Sequence, residues 1–427
     1  MKCINCKNRN LTKIIKIGNQ PISSVFHKNQ QHKLKKYSLD VFKCNKCDLI
    51  QFASLAPLDD MYGTTYGYRT SLSPLMIKHM NDKYKKIIKK SFLNKNSSIL
   101  DIGSNDGTFL NFFSDDKRNF QLFGVDPSAA KFRKYYKKNI NLITEYFSKD
   151  NIKKYFEDNT QLKNKFSLIT SYAMFYDLED PNSFVKDINN LLDNNGIWVS
   201  EFSYFPLLLK NLTYDQICHE HVAYYTLATF NKIVKKNGLK IIDISFNEIN
   251  GGSIEVICAK NNSKHKKNKK LIDSTLLDEK LIDEHSYRRC NQRIENTKRM
   301  LNLFLKSINN KEIIGYGAST KGNIVLNHCG ITKKELPYIC DANPYKFEKY
   351  TPGSNIKIIS KKEMRARKPK YLLVLIWSFR SEVIRQEKKF IEKGGKLIFH
   401  LPIFHIIDKS NYKQFVNDDF SSFSYDY

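Results

Sequence analysis

Residues 97–126 constrain this chain more tightly than any other stretch. An apolar strand pattern (Ile99, Leu100, Ile102) runs into a turn carrying Gly103 and Gly107, and a helix opens at Thr108. Glycine belongs where the backbone turns sharply and a ligand approaches too closely for a Cβ. Asn105 and Asp106 supply turn chemistry between the two glycines. A second apolar strand, residues 121–125, is followed by Asp126, 23 residues past Gly103. A carboxylate about 20 residues beyond such a loop is where nucleotide-binding sheets hydrogen-bond a ribose diol. Without Asp126 the pattern would fit an ordinary strand-to-helix turn equally well.

The acids choose between ligands. A pyrophosphate prefers an open helix N-terminus, whereas here Asp101 precedes the first glycine and Asp106 lies inside the loop. Two carboxylates repel a pyrophosphate and suit a cation with an amino-acid tail and a sulfonium, which describes S-adenosylmethionine. Asp101, Gly103, Asn105, Asp106, Gly107 and Asp126 are therefore the candidate cofactor residues.

From residue 97 to about 260 the pattern alternates strand and helix, with further strands at 166–171 and 196–201 and a helix over 182–192. Such alternation predicts a parallel sheet with helices on both faces, and ligands in these sheets sit beyond the carboxyl ends of the strands. The Gly103 loop, Asp126, residues 172–177 and Glu201 should then surround one crevice. Residues 240–244 and 251–258 should close the sheet as an antiparallel hairpin. Before them lies Cys218-His219-Glu220-His221, with aromatics on both sides. A histidine titrates near pH 6.5 and suits proton abstraction at neutral pH, and a neighbouring carboxylate can orient it. The same residues also fit a metal site with Cys218 as third ligand, or histidines capping a buried turn. They lack the spacing of a helical zinc motif.

Cys3-Ile4-Asn5-Cys6 and Cys44-Asn45-Lys46-Cys47 are two C-x-x-C knuckles. Each offers two thiolates on one turn, and two such turns complete a tetrahedral zinc shell. A filled shell leaves no open position, so this zinc is structural; a redox pair, or His27 or His32 in place of a cysteine, are the lesser alternatives. The 37 residues between the knuckles need a small hairpin or loop of their own. Nine cysteines without an export signal favour metal over disulfides, and the chain reads as cytoplasmic. No apolar run approaches the ~20 residues needed to span a bilayer.

The chain of 427 residues carries 71 Lys+Arg against 43 Asp+Glu, a net charge of +28. The lysines are spread through every segment instead of forming a stripe with interleaved aromatics, which argues against nucleic acid. The densest run, residues 264–270, reads as a solvated connector. Residues 61–70, rich in Tyr and Gly and including Tyr68 and Arg69, suit either a lid over a polar ring or a packed linker; an amphipathic helix follows (Met76, Met80, Tyr84, Ile87, Ile88). A last strand, glycine turn and helix begins at Glu312, with Gly315-Tyr316-Gly317 and no acid in the loop. Ser319, Thr320 and Lys321 at that helix N-terminus suit a phosphate. Strands at 338–341, 371–375 and 396–399 should complete a second α/β sheet.

These motifs together resemble the three-domain, zinc-containing sugar C-methyltransferases that act on nucleotide-linked 4-keto-deoxysugars. The resemblance covers nearly the whole chain: both knuckles, Ile17-Gly18-Asn19-Gln20-Pro21, the 101–110 loop, His219-Glu220-His221 followed by Tyr224-Tyr225, Gly251-Gly252-Ser253, the 315–323 run, Asp341-Ala342-Asn343-Pro344 and Tyr350-Thr351-Pro352-Gly353. It implies a zinc-binding domain (1–60), a Rossmann-like class I S-adenosylmethionine methyltransferase domain (61–262), a helical connector (263–309), a second Rossmann-like domain for the nucleotide sugar (310–410) and a frayed tail (411–427). It further implies that His221 is the base, with Glu220 beside it. Tyr68, Arg69, Tyr176, Ser319, Thr320, Lys321 and Asn323 are assigned to the nucleotide-diphosphate sugar. The partners expected are that substrate, no nucleic acid and no membrane, in a monomer or small homo-oligomer. Three positions depart from the family pattern: Cys218 where a tyrosine is usual, Asn250 where a histidine often precedes Gly-Gly-Ser, and Tyr176 where a histidine can follow the third strand. Stabilising an enolate oxygen then falls to another group, Tyr224 or His219. An O- or N-methyltransferase and a non-catalytic nucleotide-binding protein are the other two readings.

Overall fold

A computed structural model describes residues 2–30, 33–57, 69–90, 92–157 and 165–417. The N-terminal part is a four-stranded antiparallel sheet in the order Leu11–Ile15, Val41–Cys44, Ile50–Phe52, Ala223–Tyr224. Its last strand comes from far along the chain, where Ala223 pairs with Gln51 and Tyr224 with Ile50. The hairpin expected between the knuckles is present, as Asn19–Pro21 against Lys36–Ser38.

The central sheet has seven strands: Leu239–Asn247, Ser253–Lys260, Leu192–Ser203, Phe166–Tyr172, Ser98–Ile102, Gln121–Val125 and Ile140–Ile143. All pairings are parallel except the two made by Ser253–Lys260. Every residue of Ser98–Ile102 is buried, which is why apolar residues (Ile99, Leu100, Ile102) stand on both of its faces instead of alternating with exposed polar ones. The closing hairpin turns through Asn250, Gly251 and Gly252, all at positive φ. The helix Pro181–Leu191 starts one residue before the sequence pattern suggests. Proline takes its first position, and the Asp180 carboxylate accepts from the Asn182 and Ser183 amides.

The helix Pro74–Lys89 lies across this sheet and buries Met76, Met80 and Ile87. It also buries a charge. Lys83 pairs with Glu201 and, at 2.5 Å, with Glu255, two residues opposite one another on neighbouring strands.

The C-terminal sheet runs Lys357–Ser360, Tyr338–Asp341, Ile313–Tyr316, Tyr371–Val374, Lys396–Phe399, His405–Ile407, parallel but for the last strand. The connector is a spine more than a tether. Its long helix, Glu284–Ser307, is capped by Asp283 and buries Cys290, Ile294, Leu301 and Leu305. From it Asn291 donates to the Ile14 carbonyl, Arg293 to those of Leu209 and Lys210, and Asn302 to that of Cys329. One apolar cluster accordingly joins Val41 and Phe52, Leu208 and Tyr214, Leu301, and Ile324 and Leu373. Residues 418–427 of the expected tail lie outside the described residues, and Tyr412–Phe415 ahead of them form a helical turn. No helix among the described residues is long and apolar enough to cross a membrane.

Candidate functional site

The strand Ser98–Ile102 delivers Gly103 at φ 73°, and Gly107 at φ 74° opens the helix Thr108–Ser114. A Cβ on Gly107 would stand 2.7 Å from the Tyr136 ring. That ring closes the loop, its hydroxyl lying 2.9 Å from both the Asn105 carbonyl and Ser104 Oγ.

Asp126 stands at the end of the neighbouring strand. Its Oδ2 accepts from the Asn105 amide at 2.8 Å, and its Oδ1 from the amide and hydroxyl of Ser128 at 2.6 Å. A carboxylate has about four lone-pair sites, so with three of them filled, acceptor capacity remains for one hydroxyl of a ribose. Asp101 is buried beneath the loop. Burial pushes its carboxyl up to about 7, against the opposing bond from Thr170 Oγ1 at 2.6 Å, and the Asp126 charge adds to the rise. Asp106 accepts from Thr108 Oγ1 at 2.6 Å and from the Ser71 amide at 3.0 Å, while Asn105 Oδ1 accepts from the Thr70 amide at 3.0 Å. The loop thus seats residues 69–71, a tie the sequence did not reveal. Arg69 lies over the Tyr135 ring at 3.8 Å and within 3.6 Å of Asp106, beside the glycine loop. Tyr68 lies outside the described residues.

Residues 213–221 form the facing wall. A tight turn, Tyr214–Gln216, precedes Cys218, and the Cys218 carbonyl accepts from the His221 amide. Ala223–Tyr224, clamped to the N-terminal sheet, fixes the far end. The His221 ring is buried, 4.1 Å from the Tyr176 ring centre and tilted at 45°. Its Nδ1 has no hydrogen-bond partner among the described residues. Burial lowers its pKa to about 3, the Lys321 charge adds to the fall, and the Gln216 carbonyl opposes it. His219 points elsewhere, its Nε2 3.2 Å from the Gln20 carbonyl and its ring edge-on to Tyr37. Burial lowers its pKa too, with Glu220 opposing. Glu220 Oε2 and the Tyr224 hydroxyl are buried without partners among the described residues. Glu201 is less available than its place at a strand end suggests. His79 and Asn247 each approach it at 2.7 Å and Lys83 pairs with it, so that, against the cost of burial, its pKa falls to about 2.

The C-terminal sheet supplies a third wall. Gly317 turns at φ 90°, and Ser319 Oγ caps the helix Thr320–Cys329 by accepting from the Gly322 amide at 2.9 Å. Thr320 is the first residue of that helix. Lys321 reaches across the interface and donates to Asn250 Oδ1 at 2.7 Å. Asn323 is buried and donates to the Ser23 carbonyl at 2.7 Å. Trp377 Nε1 donates to Asp215 at 2.8 Å and presses on Gly251, where a Cβ would meet the indole at 2.9 Å. Asp215, Gln216 and Trp377 are groups around the candidate base that sequence reasoning missed, whereas Asn250 stands out in the sequence as a departure from the family pattern, without its link to Lys321. The only signal of the first three was isolated polar or aromatic residues at turns.

At the N-terminus, Cys3–Cys47 and Cys6–Cys44 Sγ atoms are 3.5 and 3.6 Å apart, and all four lie within 4.8 Å of one another. A tetrahedral shell with Zn–S of ~2.3 Å places its sulfurs ~3.8 Å apart. The two knuckles share one backbone device. The amides of Lys7 and Asp48 bond back to the carbonyls of Cys3 and Cys44, with both residues left-handed at φ 61° and 64°. The four-sulfur donor set fits zinc and leaves it no open position.

Three family models match consecutive stretches of the chain: a zinc binding domain over residues 3–62, a methyltransferase domain over 76–244, and a C-methyltransferase C-terminal domain over 248–402. Among individual relatives, C-methyltransferase NovU of Streptomyces niveus is 26% identical over 371 residues, covering 86% of each chain. Two solved structures are similar over part of the length. The plantazolicin methyltransferase BpumL in complex with SAH is 16% identical with a TM-score of 0.35, over 44% of this chain and 85% of that one. Magnesium protoporphyrin IX methyltransferase from Synechocystis PCC 6803 with bound SAM is 12% identical with a TM-score of 0.31, over 44% and 82%.

Proposed function

The chain belongs to the three-domain, zinc-binding, S-adenosylmethionine-dependent C-methyltransferases, and from that premise we propose that it methylates a carbon next to the ketone of a nucleotide-linked keto-deoxysugar, in the biosynthesis of a surface sugar. The donor set of the first loop fits the cofactor: Asp101, Asp106 and Asp126, with Asn105, offer acceptors to a cation bearing hydroxyls. Gly103 and Gly107 hold the turn at positive φ, and Gly107 leaves room for the Tyr136 ring that closes it. When bound, S-adenosylmethionine supplies an electrophilic methyl group. The remaining work belongs to the protein.

A ketone acidifies the hydrogen on the adjacent carbon, and His221 takes that proton. What supports this reading above all is the His221 imidazole itself. It is kept neutral by burial and by Lys321, and Nδ1 is left without a partner among the described residues. Tyr176 beneath the ring holds its orientation. Glu220 beside it is the group that would steady the imidazolium once formed. We assign Tyr68 and Arg69 to the sugar side of the crevice, and Ser319, Thr320 and Asn323 to the nucleotide side. The zinc site orders the N-terminal sheet, whose last strand, Ala223–Tyr224, anchors the segment carrying His221.

The test is mass spectrometry of the protein with S-adenosylmethionine and a panel of nucleotide-linked 4-keto-deoxysugars in heavy water. The expected product keeps its methyl through acid hydrolysis, and deuterium enters next to the ketone even without cofactor. Replacing the base (His221→Gln) should slow both by ~10²–10⁴-fold. A methyl released by acid would mean transfer to oxygen, and no transfer to any member would overturn the sugar reading.

A further inference from the structure

Taking a proton from carbon leaves negative charge on the ketone oxygen, and some group must meet it. We propose that Lys321, reaching in from the C-terminal sheet, is the cation that receives this charge while His221 takes the proton. The proposal rests on the keto-sugar reading above and names a role within it. The C–H bond breaks, its proton passes to the imidazole, and its electron pair forms the carbon–carbon double bond. The carbonyl pair moves onto oxygen, which accepts a hydrogen bond from Lys321 Nζ; the lysine keeps its protons.

The argument starts from where the ammonium goes. Lys321 is in the first turn of the helix Thr320–Cys329, yet it leaves the helix N-terminus and donates to Asn250 Oδ1 at 2.7 Å. Asn250 sits in the left-handed region at φ 60°, a conformation asparagine tolerates better than most residues. Its own carbonyl accepts from Gln216 Nε2 at 2.5 Å, and the Gln216 carbonyl in turn faces the His221 ring. Lysine, asparagine, glutamine and imidazole therefore form one connected cluster spanning two domains. Asp215 supports the charge from the same turn, its carboxylate anchored by Trp377 at 2.8 Å. Burial lowers the pKa of Lys321, while Asp215 and Cys218 oppose the fall.

The alternatives offer less. His219 is engaged with the Gln20 carbonyl. The Tyr224 ring packs edge-on against Phe52 at 5.8 Å, and its hydroxyl, buried without a partner among the described residues, offers a neutral donor and no charge. Cys218 carries a thiol that burial holds far above its usual range. The Lys321 charge reaches the His221 imidazole and lowers its pKa. A preorganised cation in a site of low dielectric stabilises an oxyanion far more than water does.

The test compares Lys321→Gln, Lys321→Arg and Asn250→Ala with the wild type, using a nucleotide-linked 4-keto-6-deoxyhexose in heavy water without cofactor. Lys321→Gln should lose ~10²-fold in exchange rate at saturation with little change in KM, Lys321→Arg should recover part of it, and Asn250→Ala should lose less. Independently of any substrate, NMR titration of His221 should show its pKa rising in Lys321→Gln and unmoved in Lys321→Arg, which a merely structural role would not produce. A raised KM with an unchanged exchange rate would make Lys321 a phosphate ligand and overturn the proposal. So would an unmoved His221 in a folded Lys321→Gln. If Lys321→Gln fails to fold, the decision passes to Asn250→Ala, where wild-type exchange overturns the proposal. No exchange by the wild type on any panel sugar would overturn the keto-sugar reading and this role together.

Discussion

The two sheets carry the same local device, a strand, a glycine turn and a helix N-terminus, and fill it with opposite chemistry. In the central sheet the turn is held by polar ties: Asp126 to Asn105 and Ser128, Asp106 to Thr108 and Ser71, Asn105 to Thr70. In the C-terminal sheet the glycines are held by apolar closeness, with side-chain polar ties from the Ser319 cap and from Lys346 to the Ala318 carbonyl. A Cβ on Gly315 would stand 2.9 Å from Ile339, and one on Gly317 2.6 Å from Ile376. Glycines set the shape of both turns; the residues between and behind them decide what the turn can bind. Three carboxylates make the first a place for a cation. The second has no acid inside its loop, the Asp341 carboxylate at the end of its neighbouring strand is met by Lys346 at 3.5 Å, and its Lys321 is turned away to Asn250, so it lacks the free acceptors a cation needs.

That contrast is open to attack from either side. The largest effect is expected from Asp126→Ala, which removes the acceptor of the Asn105 amide and of the Ser128 amide and hydroxyl at once. Each buried donor left without a partner costs about 1–3 kcal/mol. Calorimetry should therefore find S-adenosylmethionine affinity weakened at least ~10-fold, along with a lower melting temperature. Unchanged affinity would mean that the carboxylate only shapes the fold. Next in size is Gly317→Ala. A left-handed backbone costs a residue with a Cβ ~1–2 kcal/mol, and here the Cβ also meets Ile376 Cγ2 at 2.6 Å. The melting temperature should fall while cofactor affinity stays constant. A parallel loss of affinity would show that the two turns do not act separately.

Much of this division is legible in the sequence, because it rests on local signals. The Ser98–Ile102 strand, both glycine turns, the Pro74–Lys89 helix and the closing hairpin all follow from apolar period, caps and breakers within a few residues. What escaped depends on partners remote in sequence. Lys357–Ser360 and His405–Ile407 are short outer strands without an alternating pattern. Ala223–Tyr224 is a strand only because Ile50–Phe52 lies beside it. The His221 motif and Asp126 stand out by residue type. The groups that fix them, such as Trp377 on Asp215 and Lys321 on Asn250, are single residues separated by 162 and 71 positions. Glu201 teaches the same lesson in reverse. Its place at a strand end suggests a ligand, but the Pro74–Lys89 helix meets it with His79 and Lys83.

The smallest expected effect is a titration. Burial holds Asp101 up near pH 7, well above the ~3.9 of an unfolded aspartate. A carboxyl with a raised pKa contributes stability fully below its unfolded value and loses it as pH rises through its folded one, so this residue should favour a lower melting temperature at pH 8 than at pH 6. A bound sulfonium cation favours the ionised form and reverses that penalty. S-adenosylmethionine affinity should therefore tighten between pH 6 and 8, by less than ~10-fold if binding shifts the group by under one unit, which is worth ~1.4 kcal/mol. Asp101→Asn should flatten the dependence, because an amide cannot ionise. The C-terminal turn carries no carboxylate, so a variant there such as Gly317→Ala should leave the pH profile intact. Calorimetric titrations at pH 6, 7 and 8 decide it. A slope that survives in Asp101→Asn would assign the titration to another group and remove Asp101 from the set of charges that distinguishes the first turn from the second.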